Sequence, residues 1–480
     1  MIALMVCTAL LLAGYFTYSR VVDRLFGPDV HRPTPALSSP DGVDTLPMPT
    51  WKVFLIQLLD IAGIGPIFGP ILGALYGPVA LVWIVLGTLF AGGVHDYFSG
   101  MLSVRHDGAS LPEVVGQTMG ETARWIMRFF SVLLLVLVGV VFTLSPAHML
   151  GSLFGLNPAA LVAAVFLYYF LATILPIDKL IGRFYPLFGL LLLFMTLGVA
   201  GGLFWSGANA PGADTLLRWP SGSHPEGLPV WPLLFITLSC GAISGFHSTQ
   251  SPLMARCLRS ERHGRRVFYG AMVCEGFIAL VWATAGMTFF DSPDALQAVI
   301  REGTPALVVN RVCQTLLGPV GGAIAILGVV VLPITSGDTA FRSTRLILAE
   351  PLHLDQKPVL KRLALAIPLF LTAWLISRTD FNLIWRYFGW SNQALSSLVL
   401  WTAAVWLAQR GKPHWIASLP GTFMTAVSAA FILQAKIGFR LPPGLSNGLG
   451  AAAALLGLGA LIAYARRRRA ADMPPPAPSP

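Results

Sequence analysis

Six ionisable side chains interrupt long apolar runs of this sequence. They are Asp60, His95, Asp96, His247, Glu275 and Asp338. A charged side chain at the centre of a bilayer costs about 3 kcal/mol, so groups retained there are expected to be functional. The chemistry that they predict is the binding or relay of a proton or a small cation inside a membrane.

The hydroxyl-rich stretch around Asp338 suits an ion in particular. Thr335, Ser336 and Asp338 follow a proline within an apolar run. Hydroxyl and carboxylate oxygens form a hard donor set that suits Na⁺ or a proton relay. Together with Asp60 they are our predicted coupling-ion or proton site, with any Na⁺ near Thr335 and Ser336. The alternatives are that Asp60 caps the half-helix after it and that the hydroxyls cap a helix end.

The remaining ionisable groups allow more than one explanation. His95 and Asp96 stand near the end of an apolar run, where they suit a gate or a proton relay but also a solvated helix end. His247 is able to hydrogen-bond a carboxylate or to satisfy loosened carbonyls. Glu275 is as deep as Asp60 and has no partner that the sequence identifies.

The elements that must position these groups are two apolar helices interrupted by glycine and proline. The second helix contains Gly63-Ile-Gly65-Pro66, and the seventh contains Gly241-Ala-Ile-Ser244-Gly245. Freed backbone groups are tolerated in hydrocarbon only where they line a cavity. The half-helix N-termini are positive dipole ends, so we expect N–H groups near Gly65 and Gly245 to receive a carboxylate. Close packing through small residues is the alternative for either helix alone.

The composition places these elements in a polytopic membrane protein. The 480-residue chain is 55% hydrophobic and only 11% charged, whereas soluble proteins carry about 25% charged residues. This composition excludes a soluble enzyme. The net charge of +10 is explained by Lys and Arg in cytoplasmic loops, without nucleic-acid binding. The five cysteines show neither a disulfide nor a metal pattern.

Thirteen hydrophobic segments predict about 13 transmembrane helices. They lie at about 2–18, 51–74, 77–98, 125–144, 158–176, 184–205, 229–250, 267–289, 318–340, 362–377, 388–408, 414–433 and 447–465. Residues 51–205 and 229–408 form two five-helix repeats of opposite orientation, each beginning with an interrupted helix. A helix with a Pro-rich cytoplasmic connection (1–50) precedes them. Two helices (409–465) and a basic, Pro-rich disordered tail (466–480) follow. The Lys and Arg distribution predicts an outer N-terminus and a cytoplasmic C-terminus.

Ordered motifs extend over roughly residues 30–410 of the chain. They are Pro35-Ala36, Asp41-Gly-Val-Asp44, Asp60 to Pro70, Gly92 to Phe98, Gly108 to Glu113, Cys240 to Pro252, Ile334 to Arg342, and Phe388-Gly389 with Asn392-Gln393. In this order they resemble the carbon starvation protein A (CstA) family of bacterial inner-membrane transporters. The resemblance implies ion-driven uptake of pyruvate or short peptides during nutrient limitation. It also implies the LeuT-like, five-plus-five inverted repeat of the amino acid–polyamine–organocation superfamily.

The resemblance further implies where substrate and ion bind. Carried over by position, the substrate site comprises Gly63, Ile64, Gly65, Gly241, Ser244, Gly245, Phe246 and His247, to which we add Gln393. The cation site falls between the first break and Thr335–Ser336, and we expect His95 and Asp96 to act as a gate. The chain differs from the best-known family members in being shorter, and it has Asp60 where many carry Asn or Ala.

We therefore predict a non-enzymatic secondary transporter for a small carboxylate, with pyruvate favoured and a short peptide as the alternative. It would couple to H⁺ or Na⁺ without a cofactor and reside in the bilayer, in an oligomeric state that the sequence leaves open. An intramembrane enzyme is disfavoured because the chain has no His-Glu-x-x-His pattern, and because Gly241-Ala-Ile-Ser244-Gly245 is not a Gly-x-Ser-x-Gly elbow. A starvation-sensing receptor is the third alternative, and net flux into vesicles would separate it from a transporter.

Overall fold

The computed structural model describes residues 1–175, 177–206 and 224–471, and these residues form helices and connections without a β-strand. The predicted all-α class is therefore confirmed for this part of the chain. Its α-helices, α1 to α19 in chain order, are Ile2–Phe16, Tyr18–Phe26, Pro35–Ser38, Thr50–Ile61, Gly65–Gly73, Val79–Leu86, Gly93–Arg105, Leu111–Met119, Glu121–Phe154, Pro158–Ile174, Ile177–Trp205, Val230–Thr237, Gly245–Ala255, Gly270–Thr288, Pro293–Ala349, Val359–Ile376, Phe381–Gln409, Trp415–Gln434 and Pro443–Ala471.

The number of spans that the helices support is smaller than the predicted thirteen. Within the described ranges, nine helices are long and apolar enough to cross a membrane, and the bent pair α4–α5 makes ten. Helix α10, the α12–α13 pair and α17 lie where the other three spans are predicted. However, α10 has only 17 residues, and α13 and α17 carry buried polar side chains that lower their apolar character. The count of thirteen and the exact repeat layout remain predictions.

Both ends of the chain are more helical than predicted. The first span exceeds the expected 2–18 because α1 continues through α2 to Phe26. The Pro-rich connection after it includes the short helix α3. Helix α19 continues to Ala471, so its arginines lie at a helix C-terminus, where cations are favourable. The predicted tail 466–480 therefore starts as helix, and residues 472–480 lie outside the described part.

The two predicted breaks are present, and they lie against each other. Helix α4 ends at Ile61 and α5 begins at Gly65, with a bend of 47° between them. Helix α12 ends at Thr237, and the chain then passes through a positive φ of 84° at Gly241, which glycine adopts most readily. A Cβ on Gly65 would lie 2.4 Å from that of Cys240. Breaking and close packing, the two explanations offered for these glycines, therefore apply together.

Two other spans are irregular where they meet the breaks. The run Val79–Arg105 is one span in which a π-helical stretch, Gly87–Gly92, joins α6 to α7. Such stretches often occur at functional positions. Helix α15 bends at Gly318, where φ is +69°. Beyond that bend it forms the span that carries Thr335, Ser336 and Asp338 and packs against α4, α9 and α11.

Candidate substrate and ion site

The six ionisable residues are fully buried and form two clusters beside the two breaks. We call the first the acid–hydroxyl cluster, which consists of Asp60, Tyr185, Thr335, Ser336 and Asp338. We call the second the His–carboxylate tetrad, which consists of His95, Asp96, His247 and Glu275. Helices α4, α11 and α15 contribute the first cluster, and α7, α13 and α14 contribute the second.

A freed backbone carbonyl organises the acid–hydroxyl cluster. In an uninterrupted helix the Leu59 carbonyl would accept a hydrogen bond from the N–H of Gly63. That N–H instead donates to the Ile61 carbonyl at 2.9 Å. Ser336 Oγ donates to the Leu59 carbonyl at 3.2 Å, and Thr335 Oγ1 lies at the same distance from it. The structure thus brings the first break and the two hydroxyls together, as the family resemblance implies.

Each carboxylate of this cluster retains one unpaired oxygen. The Tyr185 hydroxyl donates to Asp60 Oδ1 and the Tyr168 hydroxyl to Asp338 Oδ2, both at 3.3 Å. Asp60 Oδ2 and Asp338 Oδ1 are buried without a hydrogen-bond partner. Buried polar atoms are normally paired. Two unpaired acceptors beside the negative C-terminal end of α4 therefore have the chemistry of a proton or cation site.

The His–carboxylate tetrad is a continuous line of side chains across three helices. His95 Nδ1 lies 2.7 Å from Asp96 Oδ1, and His247 Nδ1 lies 2.9 Å from Asp96 Oδ2. His247 Nε2 lies 3.4 Å from Glu275 Oε2. His95 and Asp96 are completely buried, and their helix continues to Arg105. The structure therefore excludes a solvated helix end, whereas a role in gating remains a prediction.

Two amide side chains of α17 brace the second break. Asn392 Oδ1 accepts the Phe246 N–H at 2.7 Å and the Ser244 hydroxyl at 3.1 Å. Gln393 Nε2 donates to the Phe235 carbonyl at 3.2 Å. The same nitrogen lies 3.4 Å from the Ile243 carbonyl in the break, and a contact of Gln393 with substrate remains a prediction. Asn392 was expected to face the interior without an assigned role, and its amide is the principal support of the start of α13.

The predicted substrate-binding glycines leave no room for a ligand in this conformation. A Cβ on Gly245 would lie 2.2 Å from the Asn392 carbonyl oxygen, and one on Gly63 would lie 2.7 Å from the Phe142 ring. Ile64, which lies between Gly63 and Gly65 in sequence, is fully buried. Because Gly65 also lies directly against Cys240, the two breaks are closed onto each other and onto α9 and α17.

A cavity of about 560 Å³ lies at the end of the bundle where α5 ends, within the usual size range of small-molecule sites. Its lining includes Phe68, Leu72, Ser145, His148, Ile300 and Trp385. A layer of phenylalanine rings follows one helical turn deeper. The Phe142 ring centroid is 6.0 Å from that of Phe246 and 6.4 Å from that of Phe388. This layer separates the cavity from the breaks.

Buried ion pairs hold the opposite end of the bundle, where α4 begins. Asp44 Oδ1 lies 2.7 Å from Arg342 Nη1, and Asp44 Oδ2 lies 3.0 Å from Arg345 Nη2. Burial alone would raise the pKa of Asp44, but the two guanidinium groups hold that pKa well below its usual range. The connection before α4 is thereby fixed to α15. Sequence analysis missed this contact because no spacing rule links positions so far apart.

Comparison with known proteins identifies relatives of this chain. The family model described as Carbon starvation protein CstA matches residues 1–145, 143–303 and 298–430. An uncharacterized membrane protein of Haemophilus influenzae is 46% identical over 63% of this chain and 94% of its own length. The peptide transporter CstA of Escherichia coli is 26% identical over 89% of this chain and 81% of its own length. The Escherichia coli pyruvate/proton symporter BtsT is 26% identical over 56% of this chain and 46% of its own length.

Solved transporter structures share the fold. A mutant of the Eremococcus coleocola manganese transporter gives a TM-score of 0.57 at 14% identity, covering 89% of this chain and 99% of that one. MhsT in complex with L-phenylalanine gives a TM-score of 0.56 at 13% identity, covering 86% of this chain and 98% of that one. These likenesses support the predicted LeuT-like fold, and identities this low extend to the fold alone.

Proposed function

The chain belongs to the carbon starvation protein CstA family, and on that premise we propose that it is a secondary transporter, without enzymatic activity, that imports a small carboxylate, with pyruvate favoured. Transport proceeds by alternating access in the bacterial inner membrane and serves growth under carbon starvation. The gradient of H⁺ or Na⁺ supplies the driving force. The proposal is supported by the relatives, which are named as peptide transporters and as a pyruvate/proton symporter. The N-terminus faces outward and the C-terminus faces the cytoplasm.

The observation that carries this proposal is the meeting of two broken helices beside a cluster of buried oxygens. Helices α5 and α13 begin at Gly65 and Gly245, and their positive N-terminal ends favour a carboxylate. Helix α4 ends beside Asp60, and its negative end favours a cation. Substrate and ion of opposite charge therefore have adjacent sites, which is the arrangement that coupled import requires.

The substrate binds at these breaks once they have separated. The contact of Gly65 with Cys240 and the ring of Phe142 over Gly63 must open to admit it. The cavity beyond the phenylalanine layer provides the route from outside. We assign contacts with substrate to Gly63, Ile64, Gly65, Gly241, Ser244, Gly245, Phe246, His247 and Gln393.

The coupling ion binds in the acid–hydroxyl cluster, at Asp60, Asp338, Thr335 and Ser336. Its oxygen ligands there are the two unpaired carboxylate oxygens, the hydroxyls and the Leu59 carbonyl. Oxygen ligands of this kind suit a hard cation or a proton. His95 and Asp96 act as the gate, on the side of the breaks that faces away from the acid–hydroxyl cluster.

A short peptide is the second candidate substrate. The relative named as a peptide transporter aligns with 89% of this chain, compared with 56% for the relative named as a pyruvate/proton symporter. A peptide is zwitterionic, so its ammonium group would need a carboxylate partner. Asp60 Oδ2, buried and unpaired, offers one.

Uptake of labelled pyruvate into proteoliposomes tests the proposal, with imposed proton and Na⁺ gradients applied separately. We expect accumulation under one gradient and its abolition by excess unlabelled pyruvate. If only di- or tripeptides are taken up, the peptide alternative replaces pyruvate. Absence of net flux for all of them, with intact protein, contradicts the proposed function and favours a receptor.

The variant Gly65→Leu tests the location of the site. A side chain at position 65 would occupy the space of Cys240, so we expect uptake to fall at least about tenfold. Gly201→Leu is the matched control, because a Cβ there meets nothing within 4 Å. Normal uptake by Gly65→Leu protein, made at the normal level, would show that the substrate binds elsewhere.

A further inference from the structure

The His–carboxylate tetrad requires an explanation of its own, because it is buried on elements that the acid–hydroxyl cluster does not use. The titratable groups that face one another are His95 and Asp96 from α7, His247 from α13 and Glu275 from α14. Cys240 faces His247 from the segment before α13. In the described part of the chain, no Lys or Arg forms an ion pair with Asp96 or Glu275.

Counting charges shows that the tetrad is balanced only when it holds one additional proton. With His247 as an imidazolium between two carboxylates and with His95 neutral, the cluster carries one net negative charge. An unbalanced buried charge is strongly unfavourable. One more proton on a carboxylate makes the cluster neutral without breaking the line of contacts. The cluster is thus built to exchange a single proton.

One residue of the tetrad is well placed to take that proton. Asp96 uses both carboxylate oxygens to contact the two histidines. The tetrad's buried atoms without a hydrogen-bond partner are His95 Nε2, His247 Nε2 and both oxygens of Glu275, of which Oε2 lies 3.4 Å from His247 Nε2. A proton on His95 would create a second buried imidazolium, whereas a proton on Glu275 removes a buried charge. Glu275 is therefore the acceptor, and its Oε1, which does not face His247, can gain a proton while the rest of the cluster stays in place.

A hydrogen bond and close packing contacts link the tetrad to the second break. Thr88, on the π-helical stretch before α7, donates from Oγ1 to the Gly241 carbonyl at 2.9 Å. A Cβ on Gly276, the neighbour of Glu275, would lie 2.6 Å from Thr88 Oγ1. A Cβ on Gly241 would lie 2.5 Å from that of Ala279, one turn beyond Glu275. Opening the second break must therefore move Thr88 and the α14 residues Gly276 and Ala279, which pack beside the tetrad.

We infer that the tetrad is the proton-binding site of this transporter, with Glu275 as the group that takes up and releases the transported proton. His247 and Asp96 position Glu275. The proton enters from the outer solution, neutralises Glu275 and leaves to the cytoplasm after the substrate has left. Coupling follows because a neutral tetrad removes the repulsion that one net negative charge would exert on a carboxylate at the start of α13. This inference rests on the proposed import of a carboxylate, and it leaves the acid–hydroxyl cluster to a cation.

The substitution Glu275→Gln tests the inference, because the amide keeps the shape of a permanently neutral Glu275. Pyruvate accumulation driven by a pH gradient should fall at least about tenfold, since coupling energies of 1–3 kcal/mol correspond to such factors. Exchange of labelled for unlabelled pyruvate at equal pH should stay close to the wild-type rate, since exchange needs no proton release. The control is Glu226→Gln, an exposed residue whose carboxylate pairs with Arg301 at 2.5 Å.

The outcomes separate this inference from the proposed function. If Glu275→Gln protein accumulates pyruvate normally, whereas Asp60→Asn or Asp338→Asn protein retains only exchange, the proton binds in the acid–hydroxyl cluster and the inference is wrong. If the wild-type protein transports neither pyruvate nor peptides, the proposed function fails while the proton site still has its own test.

That test is an infrared titration of the purified protein, which needs no substrate. We expect a carboxylic acid carbonyl band that disappears as the pH rises in the wild-type and Glu226→Gln proteins. The same band should be missing from Glu275→Gln protein. Identical spectra for the wild-type and Glu275→Gln proteins throughout the titration would overturn the proton assignment, whatever the transport assays show.

Discussion

The two clusters are equally buried, but they differ in how their aspartates are paired. Both oxygens of Asp96 contact histidine nitrogens within 2.9 Å. Asp60 and Asp338 each leave one buried oxygen without a partner. A paired carboxylate stabilises the groups around it, whereas an unpaired one is completed only by a ligand. The protein's own side chains therefore satisfy Asp96 completely, whereas Asp60 and Asp338, like Glu275 of the tetrad, keep buried oxygens without a hydrogen-bond partner.

Asp96→Asn should have the largest effect on stability. Removing one partner of a buried charged pair costs about 3–5 kcal/mol because the other charge is left uncompensated. We therefore expect the lowest unfolding midpoint of all the variants, measured by thermal unfolding of the purified protein. Asp23→Asn is the control, since Asp23 accepts one hydrogen bond, from Tyr97 at 2.6 Å, and is only partly buried. Equal midpoints for the two variants would mean that the tetrad does not hold the break.

Asn392→Leu should have the next largest effect on stability. The leucine would leave the Phe246 N–H and the Ser244 hydroxyl without their shared acceptor. Lost hydrogen bonds with buried partners cost about 1–3 kcal/mol each. The control is Asn447→Leu, which removes one contact, with Trp231 Nε1 at 3.2 Å, at a partly exposed position. An unfolding midpoint of Asn392→Leu protein above that of the control would contradict the bracing role of Asn392.

Asp60→Asn should have the opposite profile, with little effect on folding and a large one on transport. The amide removes a buried charge whose Oδ2 has no partner, so stability should change by no more than about 1 kcal/mol. Ion-driven accumulation should fall about tenfold or more. Both quantities are measured on one preparation, by thermal unfolding and by vesicle uptake. A strongly destabilised variant with normal uptake would reverse the distinction between the two clusters.

Sequence analysis located the breaks and one of the clusters for identifiable reasons. Glycine and proline within apolar runs predicted interruptions near Gly65 and Gly245, and local backbone preferences are sufficient for that. The contact of Thr335 and Ser336 with the first break followed from the family resemblance. The predicted ninth segment begins at residue 318, where α15 bends, but the helical part of α15 before that bend, which begins at Pro293, was not predicted.

The tetrad could not be assembled from the sequence alone. His95 and Asp96 are neighbours, but His247 and Glu275 reach them only through the packing of α7, α13 and α14. Periodicity and motif spacing describe one element at a time, so they do not predict which buried groups of different helices meet. The sequence therefore identified each ionisable residue but not the pairing that distinguishes the two clusters.

Ser336→Ala and Thr335→Val should have the smallest effects and locate the ion within the acid–hydroxyl cluster. Ser336 Oγ reaches only the Leu59 carbonyl across the break, whereas Thr335 Oγ1 also lies 2.8 Å from the Leu332 carbonyl of its own helix. If both hydroxyls ligate a cation, losing either should weaken the dependence of uptake on that cation about threefold to tenfold. Pyruvate accumulation driven by a proton gradient, which we assign to the tetrad, should be unchanged. Thr372→Val is the control, because its hydroxyl bonds the Pro368 carbonyl on an exposed surface. Ion dependence unchanged in both variants would exclude the hydroxyls as ligands and restrict the ion to the two carboxylates.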